Sequence, residues 1–309
     1  MQRTLKDYLL LFLKGLGMGS ADVVPGVSGG TIAFITGIYE ELLNSIRSVD
    51  GAAVGLLVKF KIADFWKKIN GNFLAAVFGG ILVAVASLAK LLSYLLATHP
   101  IQLWSFFFGL IIASALIVAK QVKQWSATSV ITGILGIVFG YWITTLSATA
   151  TPDATWFIFV AGMIAICAMI LPGISGSFIL VLLGKYQAII DALTKLDIKT
   201  ILVFMGGCLV GILSFSRLLS WLLKRYFNMT ITFLIGIMIG SLNKVWPWKI
   251  NVLSSKYVDR HGEVKYSLQK SVLPADFPQE PFLVHAIVFA VVGFLLVYLV
   301  ERLAPQKNN

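Results

Sequence analysis

The chain has 309 residues, of which 58% are hydrophobic and only 13% charged, and it carries a formal net charge of +11. A soluble domain has roughly a quarter of its residues charged, so this composition leaves too little polar surface to cover a water-soluble core, and a bilayer is the better solvent. The basic residues lie between apolar segments, which is the positive-inside pattern of membrane proteins with an affinity for anionic lipid, and nucleic acid is not expected as a partner.

A spanning helix takes about 20 apolar residues, so the length provides for roughly eight membrane segments. At the N-terminus Arg3 and Lys6 precede an apolar run, but Lys14 interrupts it and no small-residue cleavage site follows, so the segment is read as retained. Segment 9–46 is too long for one helix and is broken by Pro25-Gly26-Val27-Ser28-Gly29. Proline removes a backbone donor and disfavours helix in the residue before it, and glycine permits the tight turn that follows. The segment therefore reads as a re-entrant hairpin. Full spans are expected at 72–97, 101–119 and 130–146. A second broken segment, 156–190, contains Pro172-Gly173-Ile174-Ser175-Gly176, and spans follow at 200–223, 230–246 and 282–300. An insert at 247–281 precedes the last span. In it Lys256-Tyr257-Val258 and Val264-Lys265-Tyr266 predict a small hairpin outside the bilayer.

The two broken segments are copies. A shift of 147 residues lays the first Pro-Gly-x-Ser-Gly motif on the second and matches Gly37 to Gly184 and Tyr39 to Tyr186. A shift of 127 lays Gly79-Gly80 on Gly206-Gly207, Ser87 on Ser214, and Phe106, Gly109 and Ser114 on Phe233, Gly236 and Ser241. Residues 1–148 form the first repeat and 149–309 the second. With the N-terminus cytoplasmic and a hairpin first, the basic cluster from Arg47 to Lys68, Lys120/Lys123, Lys224/Arg225 and Arg302/Lys307 all fall inside, while 97–100 and 147–155 carry no Lys or Arg. One misfit remains, a basic 244–281 on the outside, largely offset by its own acids. The fold expected is an all-α integral membrane protein with an inverted repeat, each half a broken re-entrant helical hairpin plus three transmembrane helices. Such repeats are typical of transporters, with the site at the repeat interface near the midplane.

Irregular backbone at membrane depth is tolerated only where it is buried in protein or lines a cavity. A helix restarting at Ser28 or Ser175 offers N–H groups, a hydroxyl and the positive end of a dipole, the parts of an anion site. The candidate site is Pro25, Gly26, Ser28, Gly29, Gly30 and Thr31 with Pro172, Gly173, Ser175, Gly176 and Ser177. A dipole end contributes only about 0.3–2 kcal/mol, so cations are expected to help. Lys90 and Arg217 occupy equivalent repeat positions, toward the outer and inner leaflets respectively; snorkelling to the interface is the competing reading. Asp22 has the neutral counterpart Met169 and is a candidate proton carrier, against the plainer role of capping the hairpin tip or pairing with Lys14. Cys167 and Cys208 lie in apolar segments, and His99, His261 and His285 lack metal-ligand spacing, so neither a disulfide framework, a metal nor a cofactor is expected. No phosphatase-like His/Asp/Arg constellation is present. Small-residue faces such as Gly133, Gly136 and Gly140 permit packing within or between chains, so a homo-oligomer stays open.

The run Gly17-Met18-Gly19-Ser20-Ala21-Asp22-Val23-Val24-Pro25-Gly26-Val27-Ser28-Gly29-Gly30-Thr31 closely resembles the signature of the polyprenyl-phosphate transporter (PopT) family, and Ile170-Leu171-Pro172-Gly173-Ile174-Ser175-Gly176-Ser177 resembles its second signature. The resemblance covers nearly the whole chain and is weakest in 244–281. It implies translocation of undecaprenyl phosphate across the bacterial cytoplasmic membrane, from outer to inner leaflet, for reuse in envelope polymer synthesis. A channel or carrier for another small anion is the alternative for the same paired half-helices.

Overall fold

In the computed structural model, residues 3–23, 28–146, 151–152, 154–252, 256–258, 264–266 and 269–303 are described. The first broken segment forms three helices, α1 (Leu5–Val23), α2 (Gly29–Ile35) and α3 (Tyr39–Arg47). Two short helices, α4 (Gly51–Val58) and α5 (Ile62–Lys68), fill the basic stretch that follows. Asp50 starts α4 by accepting from the Ala53 N–H at 2.8 Å and pairs with Lys68 at 2.8 Å, which closes the stretch on itself. Next come α6 (Gly71–Thr98), α7 (Pro100–Ala119), with proline in its first turn where no donor is needed, and α8 (Ala127–Thr145).

The second half follows a similar order without the two short helices. It contains α9 (Thr155–Ile170), α10 (Gly176–Leu182), α11 (Tyr186–Thr194), α12 (Ile198–Arg225) and α13 (Phe227–Val245), and ends on α14 (Leu283–Leu303). Helices α2 and α10 both have 7 residues, α3 and α11 both 9, and α6 and α12 both 28. Each broken segment has a second break that the hairpin reading lacks, at Gly37 (φ +72°) and Gly184 (φ +62°). There the left-handed backbone that glycine tolerates turns the chain out of the seven-residue helix; α10 and α11 meet at 111°.

Among the described residues five helices, α6, α7, α8, α12 and α13, are long and apolar enough to cross a membrane, or six spans if the bent pair α10–α11 counts as one. They match the predicted spans to within three residues at either end. The predicted span 282–300 is helical as α14, although its apolar stretch, Leu283–Leu299, is shorter than the five. Burial divides the helices. Much of α7 and α13 lies inside the protein, whereas α6, α8 and α12 present outward apolar side chains such as Leu82, Ile131, Val138 and Leu202, all more than half exposed. In water so much exposed apolar surface would drive aggregation; against acyl chains it is in its own solvent.

Four helix pairs build the body: α1 with α6, α9 with α12, α7 with α14 and α8 with α13. Glycine brings them together. A Cβ at Gly15 would strike the carbonyl of Val77, and one at Gly80 the carbonyl of Phe12. Gly162 against Phe204 and Gly207 against Phe159 repeat both contacts, at the 147- and 127-residue shifts. The face of Gly133, Gly136 and Gly140 packs within the chain, on α13 at Gly236 and Gly240.

The insert contains two antiparallel pairs. Strand β1 (Lys249–Asn251) pairs with β4 (Gln269–Ser271), and the predicted hairpin forms from β2 (Lys256–Val258) and β3 (Val264–Tyr266), with Lys256 opposite Tyr266. Two indoles fix its base: Trp246 donates to the Val272 carbonyl at 2.8 Å and Trp248 to that of Pro281 at 2.9 Å.

Candidate functional site

The two motifs meet. Ser28 is the extended residue before α2, fully buried, and its hydroxyl accepts from the Gly30 N–H at 3.1 Å. The same hydroxyl lies within donating distance of the carbonyls of Met169 (3.1 Å) and Leu171 (3.2 Å), on the approach to the second motif. Thr31, also fully buried, accepts from the Gly173 N–H at 3.0 Å, and the Tyr39 hydroxyl donates to the Ile170 carbonyl at 3.0 Å. Gly30 packs so closely that a Cβ there would lie 2.7 Å from the Ile170 oxygen. Side-chain groups of the first half thus bind the backbone where the second half breaks its helix, the place where backbone groups lack helical partners.

Within this contact the two tips differ. The Asp22 carboxylate, in the last turn of α1, accepts from the Gly29 N–H at 2.7 Å, so the first donors of α2 are already engaged. The N–H groups expected to be free at Ser28 are therefore not free, because short side chains on both sides of the break fold back onto them. Lys14 instead donates to the Thr36 carbonyl at 2.7 Å, so the capping role of Asp22 is the one observed. At the other tip Ser175 precedes α10 and, among the described residues, forms no side-chain cap hydrogen bond; the Ser175 and Ser177 hydroxyls lie 2.8 Å apart. Gly173 has φ +90°, and its position opposite Ser241 leaves no room for a Cβ, which would lie 2.8 Å from the serine oxygen.

Three lysines that sequence reasoning passed over lie around the second motif. Lys244, in the last turn of α13 and one turn beyond Ser241, holds its ammonium 4.2 Å from the ring centre of Phe178 in α10. Lys249, at the start of β1, donates to the Lys244 carbonyl at 2.5 Å and lies 4.0 Å over Trp104. Lys185 follows the Gly184 turn, is 2% exposed, and donates to the Thr151 carbonyl at 3.3 Å. Burial pushes Lys249 down to about 7, with the charge of Lys244 adding to the effect.

On the side of α4 and α5 a cavity of about 490 Å³ opens, lined among others by Phe34, Tyr39, Glu40, Glu41, Asn44 and Lys68. Tyr39 belongs to both places, since it lines the cavity and its hydroxyl reaches the backbone just before the second motif. Glu41 is engaged by Arg3 at 2.6 Å and by Asn70 at 2.8 Å. Among the described residues no group of His, Cys, Asp and Glu is arranged to hold a metal ion.

A family model described as undecaprenyl phosphate translocase-like matches residues 18–265, which include both motifs and the lysine pair. The chain belongs to that family. A polyprenyl-phosphate transporter of Vibrio cholerae is 46% identical over 296 residues, covering 94% of this chain and 96% of the relative. Another of Staphylococcus aureus is 35% identical over 253 residues, covering 76% of this chain and 85% of that one. No solved structure matches. These names are those of transporters, and this member of the translocase-like family is a multi-pass membrane protein of a transporter family rather than an enzyme.

Of the predicted site residues in this family member, the structure joins Ser28, Gly30 and Thr31 to Gly173 and the residues just before Pro172, while Gly29, Pro172, Ser175 and Gly176 are also buried and Ser177 partly so. Pro25 and Gly26 lie outside the described residues. Lys90 lies on α6, and its side chain is likewise outside them. Arg217 is exposed on α12 and makes no hydrogen bond or ion pair with the motifs among the described residues, so the structure does not join it to them. A signal for Lys244 was present: Ser241 already stood in the repeat alignment opposite Ser114, and a residue three further on shares its helix face. Lys185 stands where the first half has Ile38, an asymmetry as marked as that of Asp22 and Met169.

Proposed function

We propose that this chain moves undecaprenyl phosphate between the leaflets of the bacterial cytoplasmic membrane, returning it from outside to inside for envelope polymer synthesis. The observation that carries the reading is the buried hydrogen-bonded contact between Ser28, Thr31 and Tyr39 of one motif and residues 169–173 of the other. The family supplies the lipid; the contact supplies a device that has to open.

The halves, 1–148 and 149–309, act as inverted repeats with both termini cytoplasmic. Matched helix lengths support this, as does the exchange by which α7 packs on α14 as α13 packs on α8, which a two-fold relation produces. A net intramolecular hydrogen bond is worth about 0.5–1.5 kcal/mol, so the few bonds between the motifs hold a closed state by only a few kcal/mol. A phosphate oxygen accepts from two of the same groups, the Ser28 hydroxyl and the Gly173 N–H, and from the Ser175 and Ser177 hydroxyls. By binding the separated motifs better than the closed ones it shifts the equilibrium between them, while the prenyl tail stays in lipid. The cavity beside Tyr39 is the inward vestibule. Moving an anion inward opposes an inside-negative potential by about 2.3 kcal/mol per charge per 100 mV. Each proton carried with it, through Asp22 at the first tip, offsets one of those charges.

The rival reading is a channel or carrier for a small anion built on the same tips. Proteoliposomes separate the two. Movement of labelled polyprenyl phosphate without chloride or phosphate flux supports lipid transport, whereas ion flux without lipid movement supports the rival.

A further inference from the structure

We propose that Lys244 and Lys249 form a receiving site for a phosphate monoester dianion, built by the 247–281 insert on the extracytoplasmic side of the second motif. The inference rests on the transport reading above and deepens it, for it gives the insert a task and gives the site the cations that Lys90 and Arg217 were expected to supply.

The two lysines are tied together, because the Lys249 ammonium donates to the main-chain carbonyl of Lys244 at 2.5 Å, and the charge of Lys244 is felt at Lys249. Each lies on an aromatic face, Lys244 over Phe178 and Lys249 over Trp104, at 4.2 and 4.0 Å. Among the described residues neither meets a carboxylate; the ion pairs there are Arg3 with Glu41, Lys68 with Asp50 and Lys120 with Glu301. Aromatic faces attract a cation by about 0.5–2 kcal/mol but bring no negative charge. Among the described residues these two basic groups, drawn partly out of water, thus have no counter-charge, which is unfavourable for their protonated forms until an anion arrives. A dianion with three acceptor oxygens answers both at once.

The competing reading, that these lysines anchor a helix end and reach out to the interface, does not fit where they point. Both are partly buried and turned inward onto rings. The scaffold is fixed too. Trp246 and Trp248 are bonded to the far end of the insert, and their rings lie 5.4 Å apart, with Phe108 another 5.4 Å from Trp246. This aromatic wall is the kind of surface that an acyl or prenyl chain follows at the membrane boundary. The route onward is short. Phe178 is in α10, two residues after Gly176, and Ser241, one turn before Lys244, abuts Gly173. A phosphate taken up by the lysines is thereby delivered to the second motif.

The phosphate could be a lipid headgroup or free in solution. Binding of farnesyl phosphate, farnesol and inorganic phosphate to the full-length protein in detergent micelles is measured for wild type, Lys244→Gln/Lys249→Gln and Lys244→Arg/Lys249→Arg. We expect at least tenfold weaker farnesyl phosphate binding in the glutamine pair, near-normal binding in the arginine pair, and no effect on farnesol. Competition by inorganic phosphate at millimolar concentration supports recognition of the phosphate alone; its failure to compete assigns the site to the lipid. Unchanged farnesyl phosphate affinity in a folded glutamine pair overturns the proposal. If that variant does not fold, amine labelling of wild type decides: farnesyl phosphate should protect Lys244 and Lys249 several-fold, and equal labelling overturns it. Wild type that binds at the lysines yet moves no polyprenyl phosphate in liposomes would sink the transport reading alone. Full transport by the glutamine pair with unchanged affinity would sink the lysine site alone.

Discussion

Gly173 and Asp22 show how much of the site depends on single residues. With φ +90° and Ser241 alongside, Gly173 excludes any side chain on two grounds, conformation and space. Strain of this kind amounts to about 1–3 kcal/mol. Gly173→Ala should therefore lower the thermal midpoint and reduce transport at least tenfold, whereas Gly55→Ala, where a Cβ meets open space, should do neither; thermal scanning and a liposome assay check both. Asp22→Asn keeps an acceptor for the Gly29 N–H but cannot give up a proton. It should fold normally and lose the dependence of transport on a pH gradient, and transport that stays equally gradient-dependent would remove Asp22 from the coupling. Lys249 leads to a prediction in the other direction. Its folded value is about 7 against an ordinary 10.5, so between those values the unfolded chain holds a proton that the folded chain has released. Stability should then rise with pH from about 7 to 10.5, and Lys249→Met should flatten that rise relative to wild type. Thermal midpoints of both proteins across that range test the sign.

At the scale of elements, the apolar runs and glycine punctuation made most helices legible, because a bilayer demands a run of fixed length and a membrane helix announces its packing face with small residues. The second breaks at Gly37 and Gly184 were in view as a matched pair but not as turns, since a glycine in an apolar run is equally a packing residue until its backbone is seen. The partner of each helix was not legible either. Gly133, Gly136 and Gly140 advertised a close contact, and only the folded chain shows that α13 fills it. Replacing Gly136 by Leu should separate α8 from α13, because its Cβ would strike the Phe233 carbonyl. The expected result is a midpoint lower by several degrees in detergent. The same substitution at Gly37, where nothing lies within reach but φ is positive, tests backbone strain without a clash.

For the whole molecule, the paired motifs were readable as a site before their contact was, because matched Pro, Gly and Ser positions survive in the sequence whereas hydrogen bonds across about 140 residues do not. The lysines were missed for a related reason, as Lys249 belongs to an insert outside the repeat and Lys244 stands in the last turn of the helix that leads into it. What results is an account in which two halves hold each other closed through Ser28, Thr31 and Tyr39, and a lipid phosphate opens them. The most direct test follows undecaprenyl phosphate accessibility in each leaflet of proteoliposomes, comparing wild type with Ser28→Ala/Ser175→Ala. The account predicts movement by wild type and at least a tenfold loss in a folded double variant; equal movement by both would contradict it.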